Sequence, residues 1–281
     1  MTPTLLGIPW DASSSFQRGP AQAPAAIRAA LRSDSTNGWN EELVDARALL
    51  QDAGDLTLPT DGPLPLEAIT AGARALLDAG ATPIFLGGDH SVTWPLVRAV
   101  RPRHERLTIF HLDAHPDLYD ELDGRRDSHA CPFARILEED GANHLVQAGI
   151  RTLNAHQRDQ ARRFGVEMVQ MRQGLEAMVT AARRLAGPVY LSVDLDALDP
   201  AFVPGISHPE PGGLSTRELL TILQAIPKGR IVAADVVELN PANDLRDLTA
   251  RVAAKACSSS VWVTSRLRAV IRSMWRSCQS A

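Results

Sequence analysis

Short apolar runs without polar alternation recur along the chain, at Leu5–Ile8, Pro83–Leu86, Leu107–Leu112, Leu145–Ala148, Val166–Met171, Val189–Val193 and Ile231–Val237. Strands covered on both faces read this way, because neither side-chain direction meets water. Between the runs, apolar residues return at helical spacing. They predict helices over Ala21–Leu31, Leu66–Leu77, Trp94–Val100, Phe133–Glu139, Ala155–Phe164, Leu175–Leu185 and Thr216–Ile226. Gly19-Pro20 is a start signal for the first helix, and Ser215 with Glu218 three residues on has the form of a capping box for the last. Strand and helix in alternation predict an α/β fold, a three-layer α/β/α sandwich around a mostly parallel central sheet. Ser33–Thr60 is polar and punctuated, and reads as a long connection with little regular structure. Ala201–Gly213 reads as a loop that is either a wall of a substrate cleft or a plain surface crossover.

Ligand-type side chains stand where three of the apolar runs end. Asp113-Ala-His115-Pro-Asp117 follows one run and Asp194-Leu-Asp196 another, and in each the ligand-type residues occupy alternate positions. Residues two apart in extended chain share a face, so each stretch aims its ligands at one spot. His90 follows Phe85-Leu-Gly-Gly-Asp, where the glycines let the backbone turn tightly. In parallel sheets ligands gather at the carboxyl ends of strands. Four carboxylates brought together there repel one another and are costly to desolvate, and two divalent cations remove that cost. His90, Asp113, His115, Asp117, Asp194 and Asp196 are therefore candidate ligands of a two-metal site, and such sites commonly perform hydrolysis. Oxygen-rich ligation with two imidazoles suits Mn²⁺, Fe²⁺, Co²⁺ or Ni²⁺ and not structural zinc.

Three further groups belong to the same reading. Glu238 ends the run Ala234-Asp-Val-Val and is placed to pair with a cationic substrate; Asp235 inside that run is expected to be structural. His129 follows a Gly/Arg loop and precedes a helix, where it could relay protons near neutral pH. His111 is expected to point away from the site by alternation, as a buried structural residue.

Composition adds limits. The chain has 281 residues, 44% apolar and 22% charged, which predicts a folded single domain over residues 1–281. A net charge of −4 gives no reason to expect nucleic acid as a partner. Cys131, Cys257 and Cys278 form neither a disulfide framework nor a zinc ribbon, so reduced thiols and a cytoplasmic location are expected. The amino terminus lacks the form of a secretory signal, and no stretch has the apolar length of a membrane span. The last segment is distinct: Val263, Leu267, Val270, Ile271 and Met274 make one helical stripe, with Arg268, Arg272 and Arg276 on the other side.

Gly87-Gly-Asp-His90, Asp113-Ala-His-Pro-Asp117 and Ser192-Val-Asp-Leu-Asp-Ala-Leu-Asp-Pro200 together resemble the signatures of the ureohydrolase family of arginases, agmatinases and formimidoylglutamases. The resemblance runs from about Leu5 to Ala256. Ser14–Ala21, Ser128–Ile136, Gly205–Ser215 and Asp235–Pro241 look closest to plant-type arginases and their agmatinase-like bacterial relatives. Residues 257–281 depart from the family's Leu-rich helix.

The resemblance implies an arginase-like sandwich, a homo-oligomer (trimer or hexamer) and two Mn²⁺ per subunit. His90, Asp113, Asp117 and Asp194 would hold the first ion, and His115, Asp113, Asp194 and Asp196 the second. It further implies water attack on a guanidinium that Glu238 orients, with Asp117 steering the nucleophile and His129 as proton shuttle. The products would be urea and an amine. Arginine is the leading substrate and agmatine the alternative, with formimidoylglutamate behind. A non-catalytic binding protein is the reading from another class. The acidic loop Leu118–Ser128 departs from the polar loop that meets the amino-acid head in animal-type arginases.

Overall fold

The computed structural model describes residues 2–259. Eight strands form one sheet: β1 (Thr2–Gly7), β2 (Gln51–Asp55), β3 (Ala81–Leu86), β4 (Thr108–Leu112), β5 (His144–Ile150), β6 (Glu167–Gln170), β7 (Val189–Asp194) and β8 (Ile231–Val237). Their order is β2-β1-β3-β8-β7-β4-β5-β6, and every neighbouring pair is parallel. Nine α-helices are described: α1 (Ala23–Arg32), α2 (Ala46–Leu49), α3 (Leu66–Asp78), α4 (Thr93–Val100), α5 (Pro132–Glu138), α6 (Ala155–Phe164), α7 (Leu175–Arg183), α8 (Thr216–Ala225) and α9 (Leu248–Cys257).

The sheet separates two apolar clusters. On one face Leu86, Phe110, Leu191 and Val193 pack under Ile27 of α1, Met178 of α7, Leu219 of α8 and Ala253 of α9. On the other, Phe85, Ile109, Tyr190 and Val237 pack under Ile69 of α3, Leu96 of α4, Phe133 of α5 and Ala161 of α6. The result is the expected three-layer sandwich. Every residue of β3 and β7 is buried, which is why these strands read as unbroken apolar runs. The capping box on α8 is present, with the Glu218 amide donating to Ser215 Oγ at 3.2 Å and the Ser215 amide to Glu218 Oε2 at 2.7 Å.

The stretch expected to be an irregular connection holds α2 and β2. β2 escaped notice because all five of its residues are exposed and it carries no apolar pattern. Charge holds it to the edge: Arg28 of α1 donates to Asp52 at 3.0 Å and also pairs with Asp55, and Arg32 pairs with Asp52. Among the described residues no helix is long and apolar enough to cross a membrane. The Arg-lined stripe from Val263 to Arg276 lies outside the described residues.

Candidate metal centre and active-site cavity

β3, β8, β7 and β4 are the four central strands, and the candidate residues stand at their carboxyl ends. His90 follows β3 after a close approach: a Cβ on Gly88 would sit 1.7 Å from the Trp10 carbonyl oxygen. Neither Gly87 nor Gly88 has a positive φ, so glycine is needed here for space and not for the turn expected from sequence. Asp194 ends β7, and its Oδ1 accepts from the Asp196 amide at 2.8 Å, capping a short 3₁₀ turn that swings Asp196 to the same side. Asp117 and Glu238 have φ of 50° and 66°, left-handed conformations uncommon for such residues. Backbone strain of this kind gathers at sites where a side chain must be aimed.

The structure brings all six candidate ligands together. His90 Nδ1 lies 3.2 Å from Asp113 Oδ2, 3.0 Å from Asp117 Oδ2 and 3.0 Å from Asp194 Oδ2. His115 Nδ1 lies 3.0 Å from Asp196 Oδ2 and 3.4 Å from Asp113 Oδ1. Asp113 thus faces both imidazoles, and Asp196 Oδ1 accepts from the Ala114 amide at 3.2 Å.

A relay behind His90 fixes its tautomer. Ser192 Oγ donates to Asp235 Oδ1 at 2.6 Å, so it accepts from His90 Nε2 at 3.0 Å. Nδ1 is then left with its lone pair toward the three carboxylates. Asp235 is held in turn by Tyr190 Oη at 2.6 Å and Thr93 Oγ1 at 2.8 Å, the structural role expected of it. His111 does not point away, as alternation was expected to place it. It stands two residues before Asp113, so the two share a face, and His111 Nε2 donates to Asp113 Oδ2 at 2.7 Å. Gln147 Nε2 lies 3.0 Å from His111 Nδ1 and holds it as the acceptor. Burial keeps the His111 pKa low, so this imidazole is a neutral donor that aims a carboxylate.

The donor set fits a cation. His90 Nδ1 is fully buried and makes no hydrogen bond, although three oxygens lie within 3.2 Å. Donors around one ion with bonds of about 2.1 Å at right angles stand about 3 Å apart, and they need not align as hydrogen bonds must. The charges agree. Burial, with Asp196 and Asp113 beside it, drives the Asp194 pKa well above the carboxylate range. Burial and Asp113 push Asp196 up to about 6. Burial acts against charge on His90, yet Asp113, Asp117 and Asp194 outweigh it and hold its pKa well above the usual value. Protons are drawn in where negative charge exceeds what the imidazoles balance, and divalent cations would displace them.

Next to this centre opens a cavity of about 250 Å³. His129 and Glu238 line it, with Ser15, His208, Tyr119, Thr152, Gln157 and Glu210. Glu238 Oε1 accepts from the His90 amide at 2.8 Å and lies 3.4 Å from His129 Nδ1. Glu238 Oε2 is buried and has no partner. Burial favours the neutral acid, but His129 outweighs it and lowers the Glu238 pKa. Burial opposes charge on His129, and Glu238 raises its pKa to about 9. Its other nitrogen, Nε2, sits 2.9 Å from Ser15 Oγ.

The loop after Asp196 is a wall of the cavity, since His208 and Glu210 line it. Arg151 clamps this loop to the metal centre by donating to the carbonyl oxygens of Asp196 at 2.7 Å and Glu210 at 3.1 Å. The acids of the Leu118–Ser128 loop turn elsewhere. Asp120 pairs with Arg126 and Arg135, and Asp127 with Arg125, while Tyr119 and Leu122 are what that loop gives the cavity. Sequence reasoning did not single out His208, Ser15 or Gln147. For His208 the only signal was its loop, Ala201–Gly213, which reads as either a cleft wall or a plain crossover; which of its side chains enters the cavity follows from how the loop folds over the sheet.

A parallel sheet whose central strand ends converge buried carboxylates and imidazoles beside a cavity defines an α/β protein with a candidate site for cations. The arginase family model matches residues 2–262. "Arginase 1, mitochondrial" of Arabidopsis thaliana is 44% identical over 268 residues, covering 90% of this chain and 78% of that protein. An agmatinase of Bacillus anthracis is 34% identical over 257 residues, 89% of this chain and 88% of its own. The solved arginase from Medicago truncatula superposes with a TM-score of 0.82 at 39% identity, covering 92% of this chain and 86% of that one. The chain belongs to the arginase family.

Proposed function

We propose that the protein is a manganese-dependent hydrolase that cleaves the guanidino group of L-arginine to urea and an amine. The observation that carries the reading is Glu238: one oxygen is bound to the His90 amide, and the other is buried, charged and without a partner at the cavity wall. A buried lone carboxylate oxygen is costly unless a donor completes it, and a guanidinium offers planar, charged N–H donors. The plant arginases at 44% identity favour arginine. Agmatine is the second reading, favoured by Glu210, an acid at the outer cavity suited to a primary amine.

The residues divide the work. His90, Asp113, Asp117 and Asp194 would hold one Mn²⁺, and His115, Asp113, Asp194 and Asp196 the other. Two such cations, when bound, make water a competent nucleophile at neutral pH. Glu238 orients the guanidinium carbon toward the carboxylates. Asp117, turned inward by its left-handed backbone, accepts a hydrogen bond from the attacking water and directs it. His129 enters protonated, because its pKa lies near 9, and carries that proton to the departing amine. Tyr119 and Gln157 offer neutral donors to the far end of the substrate, and Thr152, whose hydroxyl donates to the Ala114 carbonyl at 3.0 Å, offers an acceptor.

The same reading takes residues 1–281 as a single domain that works on a free small molecule, as a homo-oligomer in the cytoplasm; light scattering and fractionation test the last two. Urea release from Mn²⁺-loaded protein tests the activity, with arginine, agmatine, guanidinobutyrate and formimidoylglutamate compared (the last by formamide). Arginine is expected to give the highest kcat/KM. Agmatine ahead of arginine would move the assignment to the second reading. Fewer than one metal per subunit and no product from any of the four would leave only a binding protein.

A further inference from the structure

We propose that His129, His208 and Glu238 form a further ion site, distinct from the two-metal centre, that takes one Zn²⁺ and closes the cavity to substrate. The three residues come from separate segments: the loop before α5, the loop after Asp196 and the end of β8. One donor atom from each lies within 4.8 Å of the other two. His129 Nδ1 and Glu238 Oε1 are already 3.4 Å apart. That is about the edge of a tetrahedron with zinc bonds near 2.0–2.1 Å. The His208 ring is stacked on His129 at 4.7 Å with a tilt of 27°. Its ligand atom lies within 4.8 Å of the other two, and no hydrogen bond restrains its buried Nε2, which has no partner.

Two of the three ligands therefore present buried, unpartnered atoms, Glu238 Oε2 and His208 Nε2. Two imidazoles and one carboxylate, with cavity room for a water as the fourth ligand, form a donor set that favours zinc. The neighbouring centre holds four carboxylates to two imidazoles and favours harder ions. The two places thus differ in the metal they select. Ion binding follows from this geometry alone. Competition with substrate rests on the reading of Glu238 as the guanidinium anchor, because one carboxylate cannot serve both.

The test uses the full chain, loaded with Mn²⁺ and kept in excess Mn²⁺, dialysed against rising Zn²⁺ with both metals counted by elemental analysis. One Zn²⁺ per chain is expected above an unchanged Mn²⁺ count, and His208→Asn is expected to weaken that zinc at least about 10-fold without loss of Mn²⁺. His208→Gln serves if the Asn variant fails to fold. In parallel, Zn²⁺ is expected to raise KM with kcat unchanged, and the His208 variant to lose this zinc dependence. Zinc that enters only by expelling Mn²⁺, or that binds the variant as tightly, overturns the site. A His208-dependent zinc that leaves KM unmoved upholds the ion site and removes Glu238 as substrate anchor.

Discussion

The two halves of the proposed metal centre are built alike and surrounded differently. Around His90 everything is closed: the ring is wholly buried, three carboxylate oxygens face one nitrogen, and the Ser192–Asp235 relay holds the other. Around His115 the centre is open. Its side chain is 26% exposed, fewer carboxylates face it, and its Nε2 looks across the cavity wall to Glu210 at 4.0 Å. Charge that is desolvated and surrounded by fixed partners has little freedom to rearrange, whereas charge near a cavity exchanges with solvent. The difference teaches that the two ion positions should differ in grip. The first is locked by the core of the sheet, and the second is exposed to ligand traffic.

The largest effect should come from the residue both halves share. Asp113→Asn removes the carboxylate that faces both imidazoles. It should empty both positions and lower kcat by roughly 10³-fold, about 4 kcal/mol of barrier. Elemental analysis and urea release read this, and a variant that keeps two ions would refute the shared role. Asp117→Asn should likewise cost orders of magnitude in kcat, and near-normal turnover with full metal loading would remove its part in directing water.

Next comes the comparison itself. His115→Asn should lose one of two Mn²⁺ and keep the other, while His90→Asn should lose the tighter ion. If the two variants retain equal metal, the halves do not differ. Ser192→Ala is gentler. It frees the His90 ring and should weaken one ion by about 10- to 100-fold, leaving the His115 side unaltered.

The smallest effect is one of stability. His129 has a folded pKa near 9, above its ordinary value of 6.5. In chelator-treated protein its pairing with Glu238 should stabilise fully below about pH 6.5 and fade as pH rises through about 9. Denaturation midpoints at the two ends of that range should converge for wild type and His129→Asn at high pH. A constant gap between them would show that the pair does not titrate as described.

Much of this was written in local patterns. Asp113, His115 and Asp117 were legible because acids and imidazoles at alternate positions behind a buried run have few other uses. The central strands were legible because burial on both faces leaves only apolar residues. β2 was not, because its hold on the edge is made by Arg28 and Arg32 from another element. His208 was not, because the loop could be read as a cleft wall without any mark of which of its side chains would face the cavity. His111 was legible and misplaced: two residues before Asp113, it had to share that residue's face.

Anomalous diffraction from crystals of the Mn²⁺-loaded protein tests the central claim most directly. Two manganese peaks about 3.5–4 Å apart are predicted. One should stand beside His90 and Asp117 and the other beside His115 and Asp196, with Asp113 and Asp194 between them. A single peak, or peaks away from these side chains, would contradict the account.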